Sequence, residues 1–164
     1  MVFEFVVAAI IFFAIVLYTI NYLNSSVSAF SGDSYTNNLE MKAIQISEVL
    51  VHNRGLWDGS APKIVGLSRE WPVLDSEKIQ ELNVFCNDPT NPDNYAYLLE
   101  NLGLKENRFG GTQTYRIKIV INERGNPAAL LDCGPTPPEK RRVAVERFAL
   151  SGGNKILSVN VWLW

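Results

Sequence analysis

The chain holds a single histidine, His52, with two cysteines and two methionines among its 164 residues. One imidazole and two thiols cannot complete a structural zinc site, which needs four ligands. No Cys–His or Ser–His pairing stands out, because the only imidazole falls at a helix end. HExxH, a P-loop and a strand-linked Gly-x-Gly-x-x-Gly are all missing. Phe109-Gly110-Gly111-Thr112 reads as a turn before a strand, whereas a phosphate cradle precedes a helix. Glu77 and Glu81 share one helix face, the pattern of a solvated surface, with nothing to drive their pKa values apart. These absences point away from catalysis and from any bound cofactor or metal. Basic charge is scarce too: 15 Lys and Arg stand against 17 Asp and Glu, for a net charge of −2. No basic field is available to hold nucleic acid by its phosphates. The cluster Lys140-Arg141-Arg142, beside Glu139, reads as a solvated strand start, with a local binding role as the alternative.

The most uneven absence lies at the N-terminus. No Lys or Arg precedes Lys42, and MVFEFVVAAIIFFAIVLYTINYL carries one charge, Glu4. The uncharged run Phe5–Leu23 would span ~28 Å as a helix, close to the ~30 Å hydrocarbon core of a bilayer. Tyr18, Asn21, Tyr22 and Asn24 supply an interfacial end. On hydropathy alone this is a single-pass anchor. A secretory leader starts with Lys or Arg and has a shorter apolar core. The missing charged start is expected if a basic leader preceded Met1 and was removed. An acid inside an apolar helix costs ~2.5–3.5 kcal/mol on insertion scales, less toward the interface. Glu4 is therefore either solvated at headgroup level or paired with a cation when helices bundle. The nearest such cation is the free α-amino group of another subunit.

Beyond the apolar run, NSSVSAFSGDSYTNN (24–38) is polar, either a linker or a continued helix bent near Gly32. Leu39, Ala43, Ile46 and Leu50 then recur at i, i+4, i+7 and i+11, with Gln45, Glu48 and His52 opposite. That spacing predicts an amphipathic helix ending at Asn53-Arg54-Gly55, so residues 2–53 read as one long helix with room for a kink at 25–35. His52 reads as a helix C-terminal residue paired with Glu48. Lys63–Leu67 is a short strand, Asp75 or Ser76 caps a helix through Leu82, and Pro92-Asp93 opens another that stops at Leu102-Gly103. Alternation of Tyr115, Ile117, Ile119 and Ile121 predicts a strand over 113–121, followed by a turn and a strand at 128–132.

Arg142–Leu150 and Lys155–Trp164 flank Ser151-Gly152-Gly153-Asn154, a hairpin signature. Leu157, Val159, Val161 and Leu163 line one face of its second strand. Trp162 and Trp164 lie on the other, where they are expected to pack beneath a helix or loop. Cys86 and Cys133 fall in loop-like contexts, FCNDPTNP and LDCGPTPP. In an exported protein the even count favours one disulfide, worth ~4 kcal/mol on the chain-entropy model; the alternative is two buried free thiols. Asn24-Ser25-Ser26 is the only N-x-Ser/Thr sequon with a permitted middle residue, which makes Asn24 a candidate glycosylation site.

Glu4-Phe5 followed by an uninterrupted apolar run resembles the mature N-terminus of type IV pilins and their archaeal relatives. AIQISEVLVHNRGLWDG (43–59) and IVGLSREWPVLDSEKIQELN (64–83) are similar to the helix end, Gly-Leu-Trp turn, Gly-Leu strand and short helix of archaeal pilin-like proteins. RRVAVERFALSGGNKILSVNVWLW (141–164) resembles their closing hairpin, so the likeness covers most of the chain. It implies a class III signal peptide cleaved by a membrane peptidase, and a Glu that neutralises a neighbour's N-terminal amine. The family places that Glu at the fifth mature position; here it is the fourth residue.

The implied fold is α+β: a long N-terminal hydrophobic helix followed by a β-rich globular head, an antiparallel sheet with short helices. Residues 1–24 would form the membrane or filament-core helix, 25–53 its amphipathic extension and 54–164 the extracytoplasmic head. The implied function is a structural subunit, major or minor, of an extracellular type IV pilus-like filament on the cell surface. Glu4, Phe5, Phe12 and Phe13 would serve assembly. Partners would be further copies or other pilins, the membrane before assembly, an assembly ATPase and a platform protein. The alternative is a membrane-anchored extracytoplasmic module that binds a cell-envelope component without polymerising.

Overall fold

The structure, a computed structural model, describes the backbone of residues 2–58, 61–108 and 111–164 and the side chains of 11–22, 35–58, 61–105 and 114–164. The chain divides into two compact units, Met1–Asn38 and Leu39–Trp164. Helix α1, Val2–His52, supplies the first unit and the opening of the second. In the first unit, the described apolar side chains are exposed on every side, with Phe12 at 63%, Phe13 at 62%, Leu17 at 61% and Tyr18 at 73% of full accessibility. Thr19 Oγ1 donates to Ile15 O at 2.8 Å, so this aliphatic hydroxyl is satisfied inside the helix.

Two expectations are corrected here. No helix among the described residues is long and apolar enough to cross a membrane. The described apolar side chains cover residues 11–22, only ~18 Å of helix, and α1 continues through a polar stretch into its amphipathic end. A long hydrophobic N-terminal helix, or a transmembrane one, is thus not what the described residues form. The main sheet is also mixed, where an antiparallel one was expected.

The second unit begins with Leu39, Ala43, Ile46 and Leu50, each buried as the spacing requires, together with Ser47 and Val51. Where α1 ends, Gly55 takes a left-handed φ of 65°. The chain that follows returns on itself: Leu67 N donates to Leu50 O at 2.9 Å and Ser68 N to Asn53 O at 3.0 Å. A Cβ on Gly66 would collide with the Asn53 carbonyl, so this close backbone approach demands glycine. Strands β1 (Leu56–Asp58) and β2 (Ala61–Ile64) form a small antiparallel hairpin at this corner.

Next come β3 (Ser68–Glu70), β4 (Val73–Leu74), α2 (Ser76–Asn87) and α3 (Asn94–Asn101). The Asp75 carboxylate accepts from Glu77 N at 3.0 Å, the expected N-cap, but α2 runs five residues past Leu82 and buries Phe85. The hairpin β5 (Lys105–Arg108) and β6 (Gly111–Thr114) precedes β7 (Ile117–Glu123), β8 (Ala129–Cys133), β9 (Val143–Leu150) and β10 (Ile156–Leu163). The six-stranded sheet has the order β3-β4-β9-β10-β7-β8. Every neighbour pair is antiparallel except β4 and β9, which meet in parallel at Val73 and Leu150.

One face of this sheet is the core. Ile117, Ile119 and Ile121 of β7, Leu157, Val159, Val161 and Leu163 of β10, and Leu131 of β8 join the buried residues of α1, α2 and α3 in a single cluster. The strand expected over 113–121 is split. Tyr115 N bonds to Leu104 O and Arg116 N to Trp164 O, both at 2.9 Å, so the chain changes partner before β7 begins. Cys86 of α2 and Cys133 of β8 are joined in a disulfide, with Cα atoms 5.4 Å apart. Beside it, Asn83 Oδ1 accepts from Asp132 N at 3.1 Å and Asn87 Nδ2 donates to Asp132 O at 2.9 Å. Two side chains of α2 thereby satisfy backbone groups on an edge strand that would otherwise invite pairing.

Candidate functional site

Of the residues assigned to assembly, Phe12 and Phe13 are both exposed and meet edge to face, with ring centroids 5.9 Å apart. The side chains of Glu4, Phe5 and Asn24 lie outside the described residues. Ile11, Ile15, Leu17, Ile20 and Tyr22 are each at least half exposed, and only Val16 is intermediate. Successive positions on a helix lie 100° apart, so these residues face every direction. A helix that is apolar all round is characteristic of the interior of a larger assembly or of a membrane, not of a surface element. This surface is the first candidate site.

The second lies in the Leu39–Trp164 unit, where the last turns of α1 meet the β3–β4 turn and β9. An open cleft of about 330 Å³ is bounded there by Glu48, His52, Trp71, Glu146, Arg147 and Phe148. His52 Nδ1 lies 2.7 Å from Glu48 Oε2, as the i, i+4 spacing predicts. The same carboxylate holds Arg147 through its other oxygen, Nη2 to Oε1 at 3.0 Å. Arg147 Nε donates to Ser47 Oγ at 3.3 Å, and that hydroxyl donates to Ile44 O at 2.8 Å. The imidazole of His52 stacks on the Trp71 indole, with centroids 4.0 Å apart. The result is a side-chain chain fixed from helix to strand.

Sequence reasoning placed the Glu48–His52 pair but missed the rest. One signal was present: Arg147 is in phase with Val143, Val145 and Ala149 on the inward-facing register of β9. A charge at an inward position requires a partner, and Ser47 and Glu48 provide it. Trp71 had no periodic signal, because the turn between β3 and β4 sets its position.

Trp162 and Trp164 are half-buried on the outer face, and Lys140, Arg141 and Arg142 are exposed. Among the described residues, no group of His, Cys, Asp or Glu is arranged to hold a metal ion. Compared with known proteins, the chain matches no family model, no curated protein and no solved structure.

Proposed function

We propose that the chain is a structural subunit of an extracellular, type IV pilus-like filament, assembling through its apolar N-terminal segment. The observation that carries this reading is the ring of exposed apolar side chains from Ile11 to Tyr22. Fully burying one such side chain stabilises by ~1.5–3 kcal/mol, so the eight left in water, Ile11, Phe12, Phe13, Ile15, Leu17, Tyr18, Ile20 and Tyr22, make a strong drive to associate. Because they point in all directions, one flat partner covers only part of them, whereas a bundle of like helices covers every side.

The sequence resemblance adds a role for Glu4, which would neutralise a neighbouring N-terminal amine and set the axial register of the bundle. An assembly ATPase and a membrane platform would drive the polymerisation, as in pilins. Catalysis has no part in the reading. The double substitution Phe12→Asp with Phe13→Asp places charge where the bundle is dry. It should lower the sedimentable polymer at least tenfold, since burying an unpaired charge costs several kcal/mol. Circular dichroism should show the Leu39–Trp164 unit intact. Undiminished polymer from the double variant would refute assembly through this surface.

A further inference from the structure

We propose that the cationic end of the main sheet, Arg116 with Lys140, Arg141 and Arg142, docks on the acidic face of α2 in a second copy of this chain. The inference rests on the filament reading and adds to it a contact between the Leu39–Trp164 units of successive copies.

Three strands bring the cations together. Arg116 N donates to Trp164 O at 2.9 Å and Trp164 N to Arg116 O at 3.1 Å, so these residues stand directly opposite one another. Val143 pairs with Leu163, so Arg142, one residue earlier, follows on the other side of Trp164. With neighbouring strands ~5 Å apart, the two arginines lie ~10 Å apart at one end of the sheet. Lys140 and Arg141 precede them in an exposed run, where Glu139 is the one acid of residues 134–142. Lys63, Lys105, Lys118, Arg147 and Lys155 each have an ion-pair partner; among the described residues these four cations have none.

The acids collect elsewhere. Residues 70–104 hold seven Asp and Glu against one Lys. That lysine, Lys78, is engaged by backbone carbonyls, Arg54 O at 2.6 Å and Ser68 O at 3.3 Å. Glu77, Glu81, Val84 and Asp88 recur at i, i+4, i+7 and i+11, opposite the buried Ile79 and Leu82. Among the described residues no cation pairs with these three carboxylates. Val84 is 65% exposed in the middle of the stripe.

A chain of net charge −2 whose unpaired cations and unpaired acids stand on separate elements carries its own complement. Each copy engages two neighbours through different surfaces, a heterologous contact that propagates. A polyanion at the cations would leave Val84 and the acidic stripe uncovered, whereas a second copy covers both. None of the exposed large apolar side chains lies in 114–118, 134–144 or 160–164, so the cationic end has little to insert into lipid.

The test compares the full chain, after detergent removal, with Lys140→Glu/Arg142→Glu and with Glu77→Lys/Glu81→Lys. Each variant should keep the parent circular dichroism and yield about tenfold less sedimentable polymer, because like charges then meet. Mixed in equal amounts, the two variants should recover the polymer, since each reversed surface meets its complement on the other. In the parent polymer a zero-length carbodiimide should join Lys140 to Glu77, Glu81 or Asp88 of a different copy, identified by mass spectrometry of mixed ¹⁴N and ¹⁵N chains. If the parent polymerises and either variant does so equally, or the mixture is no better than its parts, the contact is overturned and the filament reading stands. A parent chain that forms no polymer refutes the filament reading, and the contact with it. Polymer indifferent to both variants, with single-stranded DNA or anionic vesicles held through Lys140 and Arg142, would overturn the contact in favour of a polyanion.

Discussion

The Tyr95 hydroxyl donates to Ile117 O at 2.9 Å and accepts from Ile117 N at 3.0 Å, so one phenol satisfies both backbone groups at the start of β7. Burial of this group pushes its pKa above the ordinary tyrosine value, outweighing the hydrogen bond to Ile117 and the nearby Arg116 charge. The folded state therefore keeps its proton to higher pH than the unfolded chain does. The stabilisation is complete below the unfolded value of ~10 and is lost as pH rises through the folded one. Urea unfolding followed between neutral and strongly alkaline pH should show this loss, and Tyr95→Phe should flatten that part of the profile. Tyr95→Phe also leaves the Ile117 groups unpaired, at a cost of ~1–3 kcal/mol at neutral pH. An unchanged alkaline slope in the variant would remove Tyr95 from this role. At this scale the sequence was uneven to read. Glu48 and His52 were visible as an i, i+4 pair, whereas Tyr95 was not, because its partner lies 22 residues away in the chain.

Elements were legible where one physical rule acted alone. The closing hairpin followed its alternation, and β9 and β10 fall within a residue of the expected limits. The amphipathic end of α1 followed its 3.6-residue period into the core. Boundaries failed where tertiary partners decided them. Helix α2 overran Leu82 because Phe85 still faces the core and Asn83 and Asn87 cap the edge of β8. The parallel meeting of β4 with β9 had no local signal, since it joins segments more than 70 residues apart through a single register pair.

The disulfide belongs to this scale, because it ties α2 to β8 across a sequence separation of 47. Cys86→Ser together with Cys133→Ser should lower unfolding stability by ~2–4 kcal/mol, read as a reduced urea midpoint. A midpoint equal to that of the oxidised parent would show that the packing of α2 on β8 suffices without the bond.

At the scale of the molecule, the two compact units carry different chemistry. The Leu39–Trp164 unit buries one apolar core, and its inward-facing Arg147 is paired with Glu48. The Met1–Asn38 unit, over its described side chains, leaves its apolar surface in water. Hydropathy showed that surface from the sequence. It could not show what covers it, because lipid and like helices present similar apolar surroundings to a helix.

The most direct test is electron cryomicroscopy of the purified full chain after detergent removal. Assembly through the N-terminal segment predicts helical filaments whose axis is a bundle of α1 segments, with Phe12 and Phe13 enclosed by neighbouring copies. Discrete particles with no filaments, or filaments joined only through the Leu39–Trp164 unit with Phe12 and Phe13 exposed, would contradict it.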